Sequence, residues 1–219
     1  MKNTNHSLFD KYEMIKDLGT GSSGSVTLVR HISMDQERAL KKVPKSSAFS
    51  ESALSEARLL KSLEHPSIPR IFDFEEDDAF YYIVEEYIDG ETLDSFLLHQ
   101  QLISPGLFFN ICEQLCNVFI YLHTQISTPI IYRDLKPEHI IVCHNKLKLI
   151  DFGVSAYVIQ DGNNFNHYGN IEFSAPECFT EDTITPAADI YSLGQLLQYI
   201  LTFHPDCFSH NFQHIIQKE

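Results

Sequence analysis

Three glycines, Gly19, Gly21 and Gly24, fall between two β-prone runs, Tyr12–Gly19 and Ser25–His31. No other feature constrains the first part of the chain as strongly. A glycine-rich turn that opened a helix would suit a dinucleotide-binding unit. Here Val26 and the residues after it continue as a strand, so the turn joins two antiparallel strands. Such a turn either covers phosphate groups with backbone N–H donors or is a plain hairpin connection. The glycines alone leave both readings open.

The hydrophobic period then organises the rest. Arg38–Val43 follows a hairpin turn at Ser33-Met34-Asp35-Gln36. Over Glu51–Leu63, Leu54, Ala57, Leu60 and Leu63 line one face of a helix, closed by His65-Pro66. Two more strands, about Pro69–Glu75 and Phe80–Glu86, lead to a break at Asp89-Gly90. Beyond it the pattern turns helical. Ser104 is an N-cap with Pro105 at the first helical position, and Phe108, Ile111, Leu115, Val118, Phe119 and Leu122 form a buried stripe. A strand-and-loop region covers Pro129–Phe152. Thr185-Pro186 opens a last helix, with Ile190, Leu193, Leu197 and Ile200 expected to face inward. The expected organisation is α+β: a lead over 1–11, a β-rich lobe with one helix over 12–88, a hinge near Glu86–Asp89, and a helical lobe over 89–219.

Charge limits the function classes. Sixteen Lys and Arg against thirty Asp and Glu leave a net charge of −14. That excludes a general nucleic-acid surface, which needs clustered cations, and a polybasic membrane patch. From Leu149 onward nine acids stand against a single lysine, Lys218. No uncharged apolar run approaches membrane-spanning length, and the first six residues lack the apolar core of a secretion signal. Five cysteines are an odd number without metal-knuckle spacing. Cys112 and Cys116, one turn apart in an apolar stretch, read as buried free thiols, and a reducing, cytoplasmic setting follows.

The residues that carry chemistry lie in a fixed order. Lys41 ends Ala39-Leu40-Lys41 on the third strand, and Glu56 lies on the inward side of the next helix, where it can hold a phosphate-binding lysine in one rotamer; the bland alternative is a solvated pair. Then come Tyr132-Arg133-Asp134-Leu135-Lys136-Pro137-Glu138-His139, Asp151-Phe152-Gly153, Ser174-Ala175-Pro176-Glu177, and Asp189 at a helix start. With the glycine run, this series resembles the protein kinase superfamily over about Tyr12–Leu201. Lys136, two residues after Asp134, resembles the serine/threonine branch. The wording Tyr-Arg-Asp and Tyr-Ile-Asp-Gly-Glu-Thr-Leu looks like bacterial members.

The resemblance implies a bilobal kinase fold, ATP and Mg²⁺ as cofactors, and a protein substrate. It would have Gly19, Gly21 and Gly24 approach the phosphates, Val26, Ala39 and Ile141 sandwich adenine, and the backbone of Glu86 and Ile88 bind its edge. Lys41, held by Glu56, would contact the α- and β-phosphates, and Asp151 would bind the metal. Asp134 would accept or orient the substrate hydroxyl proton while Lys136 stabilises the γ-phosphate. Asp189 would brace the catalytic loop. Leu60, Ile71, Phe152 and Tyr132 look like the family's stacked hydrophobic spine.

The departures are equally specific. His139 stands where the family has a metal-binding asparagine, and a nitrogen ligand favours Mn²⁺ over Mg²⁺. Glu85 occupies a position that is usually apolar or threonine. Arg133 would normally meet a phosphorylated residue, but Asp151–Glu177 offers Ser155, Tyr157, Tyr168 and Ser174 and no threonine. Gly169-Asn170 replaces the usual Gly-Thr pair, with Asn170 expected to bond Asp134 and Lys136. No arginine follows Arg133 to meet Glu177, and the segment ending at Lys218 resembles a late family helix, so a C-lobe lacking its last helices is expected. His204, Cys207, His210 and His214 form a weak zinc candidate. Two functions follow: phosphoryl transfer to Ser/Thr hydroxyls, or a nucleotide-binding pseudokinase.

Overall fold

A computed structural model describes residues 8–21, 24–157, 170–180 and 184–208. The chain divides into two compact units, Met1–Ile88 and Asp89–Glu219.

In the first unit a helical turn, α1 (Leu8–Lys11), leads into β1 (Tyr12–Gly21), β2 (Gly24–His31) and β3 (Gln36–Pro44). A helix, α2 (Ser50–Lys61), precedes β4 (Ile71–Glu76) and β5 (Phe80–Glu86). The five strands form one antiparallel sheet in the order β1-β2-β3-β5-β4. Alternation along each strand gives the sheet two faces. Val29, Leu40, Tyr82 and Val84 are buried on one face beneath Leu8 and Tyr12. Val43 and Ile83 are buried on the other, against Ala53 and Ala57 of α2. Leu63, expected to end the helix, lies just beyond it and is buried. Gly24 has φ +142, and a Cβ there would stand 2.1 Å from the Lys42 carbonyl oxygen, so only glycine lets β2 approach β3 at this point.

The second unit begins with β6 (Glu91–Thr92) and α3 (Leu93–His99), followed by α4 (Pro105–Ile120). Ser104 caps α4 by accepting a bond from the Leu107 N–H at 3.2 Å, with Pro105 at the start as expected. The stripe Phe108, Ile111, Leu115, Val118, Phe119 and Leu122 is buried throughout. A π-helical turn over Tyr121–Gln125 extends α4. Then follow β7 (Ile130–Ile131), β8 (Ile140–Cys143), β9 (Lys146–Leu149) and β10 (Ala156–Tyr157). β6, β8 and β9 form a three-stranded sheet, and β7 pairs with β10. His144 and Asn145, both at positive φ, make the two-residue turn between β8 and β9. A short α5 (Glu177–Thr180) and the long α6 (Ala187–Phe203) follow, with a 3-10 turn at Pro205–Cys207 after them.

Two expectations fail here. Ile190 is 54% exposed instead of inward-facing. The buried face of α6 runs through Ala188, Asp189, Ser192, Leu193, Leu196 and Ile200, so a carboxylate takes a place that hydrophobicity assigned elsewhere. Cys116 is exposed and Cys112 only half-buried, because the buried stripe of α4 turns both away from the core. All five cysteines are free thiols. Among the described residues no helix is long and apolar enough to cross a membrane.

Candidate active site

Each unit is built around one group of the expected residues. In the first, β3 and α2 bring Lys41 Nζ to 2.5 Å from Glu56 Oε2, with the lysine side chain 14% and the glutamate side chain 5% exposed. The solvated alternative is thereby removed. Lys41 pairs with Val26 on one side and Ile83 on the other, and Ala39 pairs with Leu28 and Glu85. Val26, Ala39 and Lys41 therefore share the sheet face that α2 partly covers. Gly19 lies opposite Val26 with open space beside its Cα, and Gly21 lies opposite Gly24. Glu86 ends β5 and donates its backbone N–H to the Arg70 carbonyl at 2.9 Å; Ile88 is half-buried two residues on. A cavity of about 360 Å³ between α2, β4 and β5 is lined by Leu54, Ala57, Ile71, Phe74 and Tyr81 among others, and by neither Lys41 nor Glu56.

In the second unit Asp189 organises a loop. It is fully buried at the start of α6. Its carboxylate accepts bonds from the Tyr132 and Arg133 backbone N–H groups, both at 2.9 Å, and from His123 Nε2 at 2.8 Å. These bonds hold Arg133 at φ 76, a conformation that costs a non-glycine residue about 1–3 kcal/mol and persists only where neighbours impose it. Tyr132 stacks edge-on against Phe152 with ring centroids 5.0 Å apart, and its hydroxyl donates to the Ile150 carbonyl. His123 was missed in the sequence. It lies outside every motif, and only its position four residues after buried Phe119 hinted that it points inward.

The loop carries the polar cluster. Lys136 Nζ lies 3.3 Å from Asp134 Oδ2. His139 Nδ1 is 3.0 Å from the Asp134 carbonyl oxygen and 3.4 Å from Asp134 Oδ2. Its Nε2 faces Asp151 Oδ2 at 3.5 Å. A carbonyl only accepts, so Nδ1 carries the proton, and in the neutral ring Nε2 presents a lone pair toward a carboxylate. Two lone-pair donors converging at this distance suit a divalent cation of mixed oxygen and nitrogen preference. Asp151, at φ 60, is half exposed and also accepts a bond from the Gly153 N–H at 3.3 Å. Ile141 lies on the half-exposed face of β8, opposite Thr92.

Some expected contacts do not form. Asn170 Oδ1 accepts a bond from the Glu172 N–H at 2.9 Å, a local turn, and among the described residues no bond joins Asn170 to Asp134 or Lys136. His204 is buried with Nε2 3.1 Å from the Leu97 carbonyl oxygen, which turns that nitrogen into a donor to backbone. His210 and His214 lie outside the described residues, as do Tyr168, Gly169 and the segment ending at Lys218. Among the described residues no three His, Cys, Asp or Glu side chains are grouped to hold a metal. Glu177, at the start of α5, is half-buried.

The first unit thus carries a buried Lys–Glu pair beside its sheet, and the second a loop in which Asp, Lys and His meet a second Asp. The chain belongs to the protein kinase domain family, whose sequence profile matches residues 12–219. It is 31% identical over 201 residues to the serine/threonine-protein kinase PrkC of Bacillus subtilis, covering 88% of this chain and 30% of that protein. It is 33% identical over 188 residues to the serine/threonine-protein kinase ppk25 of Schizosaccharomyces pombe, covering 83% and 44%. Against the serine/threonine-protein kinase PknB of Mycolicibacterium smegmatis it is 30% identical over 211 residues, covering 90% and 33%. The chain thus spans less than half the length of these relatives. The family is one of ATP- and divalent-cation-dependent proteins.

Proposed function

We propose that this chain transfers the γ-phosphoryl group of ATP to serine or threonine hydroxyls of protein substrates. Residues 12–88 and 89–219 are then its two lobes. The observation that carries this reading is the cluster of Asp134, Lys136, His139 and Asp151 within 3.0–3.5 Å contacts.

In this reading the first lobe holds the nucleotide. Gly19, Gly21 and Gly24 keep the β1–β2 end free of bulky side chains. Val26 and Ala39 contact the adenine ring, and the backbone of Glu86 and Ile88 contacts its edge. Lys41 neutralises α- and β-phosphate oxygens, and Glu56 keeps its ammonium in one place. The substrate hydroxyl oxygen forms a bond to the γ-phosphorus as the bond to the β–γ bridging oxygen breaks. ADP leaves with that electron pair, and the hydroxyl proton passes to Asp134. Lys136 offsets charge on the phosphoryl oxygens in flight. Asp151 and His139 would hold a divalent cation, whose chemistry there would be further neutralisation of the triphosphate. Because one donor is nitrogen, Mn²⁺ serves this site at least as well as Mg²⁺.

A second reading is favoured by the same His139–Asp151 contact. An imidazole protonated at both nitrogens would pair with Asp151 and displace the cation, which leaves a nucleotide-binding module without transfer. Autophosphorylation with radiolabelled ATP, run with Mg²⁺ and Mn²⁺ in parallel beside ATP-dependent thermal shifts, separates the two. Label incorporation with a shift supports transfer; a shift without label supports the binding module. No shift at saturating ATP in a folded sample sinks both.

A further inference from the structure

Gln114 of α4 grips the outer edge of the β8–β9 hairpin. The strand order β6-β8-β9 makes β9 an edge strand of its sheet. Gln114 Oε1 accepts the Leu147 N–H at 2.8 Å, and its Nε2 donates to the Asn145 carbonyl at 2.9 Å. An N–H only donates and a carbonyl only accepts, so these two backbone groups fix which way round the amide lies. Nε2 also donates to Asn110 Oδ1, one turn back on α4, at 2.7 Å, which holds the side chain in place. A single side-chain amide thus bonds the N–H of one residue and the carbonyl two residues earlier. A residue of a parallel neighbouring strand would make the same two bonds.

The turn beside this grip carries no glycine. His144 and Asn145 stand at φ 49 and 62, a region that non-glycine residues keep where their surroundings hold them there. The open end of the same hairpin carries the proposed cation donors. His139 directly precedes β8, Asp151 follows β9 by one residue, and between them the Ile150 N–H donates to the His139 carbonyl at 2.9 Å. In a hairpin the turn sets the register, and a slip of one residue turns alternate side chains to the other face. We propose that Gln114 is a positioning residue: by holding β9 as a neighbouring strand would, it fixes the register of the hairpin and so the spacing of His139 and Asp151. This rests on the reading above, in which those two side chains hold the divalent cation.

Gln114→Met keeps the size of the side chain and removes all three bonds. Mn²⁺ affinity in the presence of ATP, read by electron paramagnetic resonance, is expected to fall about tenfold, the scale on which residues behind a metal ligand act. Amide hydrogen exchange, run without metal or nucleotide, gives a second reading. Leu147 loses its acceptor and should exchange faster, and so should Ile150, whose bond is to His139 and not to Gln114. Glycine takes positive φ without strain, so adding Asn145→Gly to Gln114→Met should restore both Mn²⁺ affinity and Ile150 protection. Gln114→Glu keeps the acceptor for Leu147 and serves, with the same expected directions, should Gln114→Met not fold. Ile150 exchange as in wild type, or Mn²⁺ affinity within about twofold of it, would each make Gln114 a local brace and overturn the proposal. Mn²⁺ affinity that does not depend on His139 would remove the cation reading instead, a failure that Ile150 exchange distinguishes from this one.

Discussion

Lys41 Nζ lies 2.5 Å from Glu56 Oε2, and both side chains are largely withdrawn from water. Breaking such a pair costs more than forming it contributes, because the partner left behind is a desolvated charge. Glu56→Ala is therefore expected to lower stability by about 3 kcal/mol, the lower end for a buried pair because Lys41 keeps some water contact. It should also weaken ATP binding by releasing the ammonium from its rotamer. Replacing both residues with methionine should return much of the stability but none of the nucleotide affinity. Urea midpoints and ATP titrations measure the two effects. A stability loss below about 1 kcal/mol in Glu56→Ala would mean the pair is effectively solvated.

Asp134→Ala is expected to abolish phosphotransfer, by about 10²-fold or more, while ATP affinity changes little. Asp134 acts on the substrate hydroxyl in the proposed mechanism and has no assigned contact with ATP. Single-turnover kinetics beside an ATP titration checks this. Activity surviving in Asp134→Ala would assign the proton to another group.

His139→Asn exchanges a nitrogen donor for an amide oxygen of smaller size. Magnesium-dependent turnover is expected to rise and the advantage of manganese to shrink. Mn²⁺ affinity, read by electron paramagnetic resonance in the presence of ATP, should fall. This second reading is independent of turnover. Unchanged Mn²⁺ affinity would show that His139 is not a ligand.

Thiol reactivity should sort by position. Burial pushes the Cys178 and Cys207 thiols up, and does so for half-buried Cys112. A raised thiol holds less thiolate at neutral pH, so alkylation slows. Cys116, exposed on α4, is expected to react with iodoacetamide first, and Cys178 and Cys207 last. Peptide mass mapping over a time course gives the order. Early labelling of Cys178 in folded protein would contradict the burial described for it.

Asp77 supplies a pH dependence. Its carboxylate accepts bonds from the Ala79 N–H at 2.8 Å, the Phe80 N–H at 2.7 Å and the Tyr82 hydroxyl at 2.8 Å. These hold its pKa below the ordinary 3.8, with the Ala79 N–H the largest cause. A lowered carboxyl pKa contributes stability above the unfolded value and loses it as pH falls through the folded one. Asp77→Ala should therefore lower the melting temperature by a constant amount at neutral pH, and the difference from wild type should narrow below pH 3.8. A gap that persists undiminished at low pH would assign the effect to turn geometry instead of charge.

Much of this protein was legible in its sequence because the determinants are local. Period-2 runs and a change to helical period placed the five strands, α2 and α4. Ser104-Pro105 announced the start of α4, since capping depends on neighbours within one turn. Lys41, Glu56, Asp134, Lys136, His139 and Asp151 were recognisable as a series because their order along the chain is itself the signature. What the sequence left open depends on groups far apart in the chain. Asp189 displaces Ile190 from the inside of α6 because two backbone N–H groups and His123, more than fifty residues earlier, satisfy its charge. Asn170 bonds Glu172 because a local turn competes with the distant partners that motif order suggested. The facing of Glu85 needed a strand register, since a shift of one residue would turn it to the other face. The facing of His139 is likewise tertiary: residue types name the possible ligands, but only the fold brings Nδ1 to 3.0 Å from the Asp134 carbonyl oxygen and Nε2 to 3.5 Å from Asp151 Oδ2.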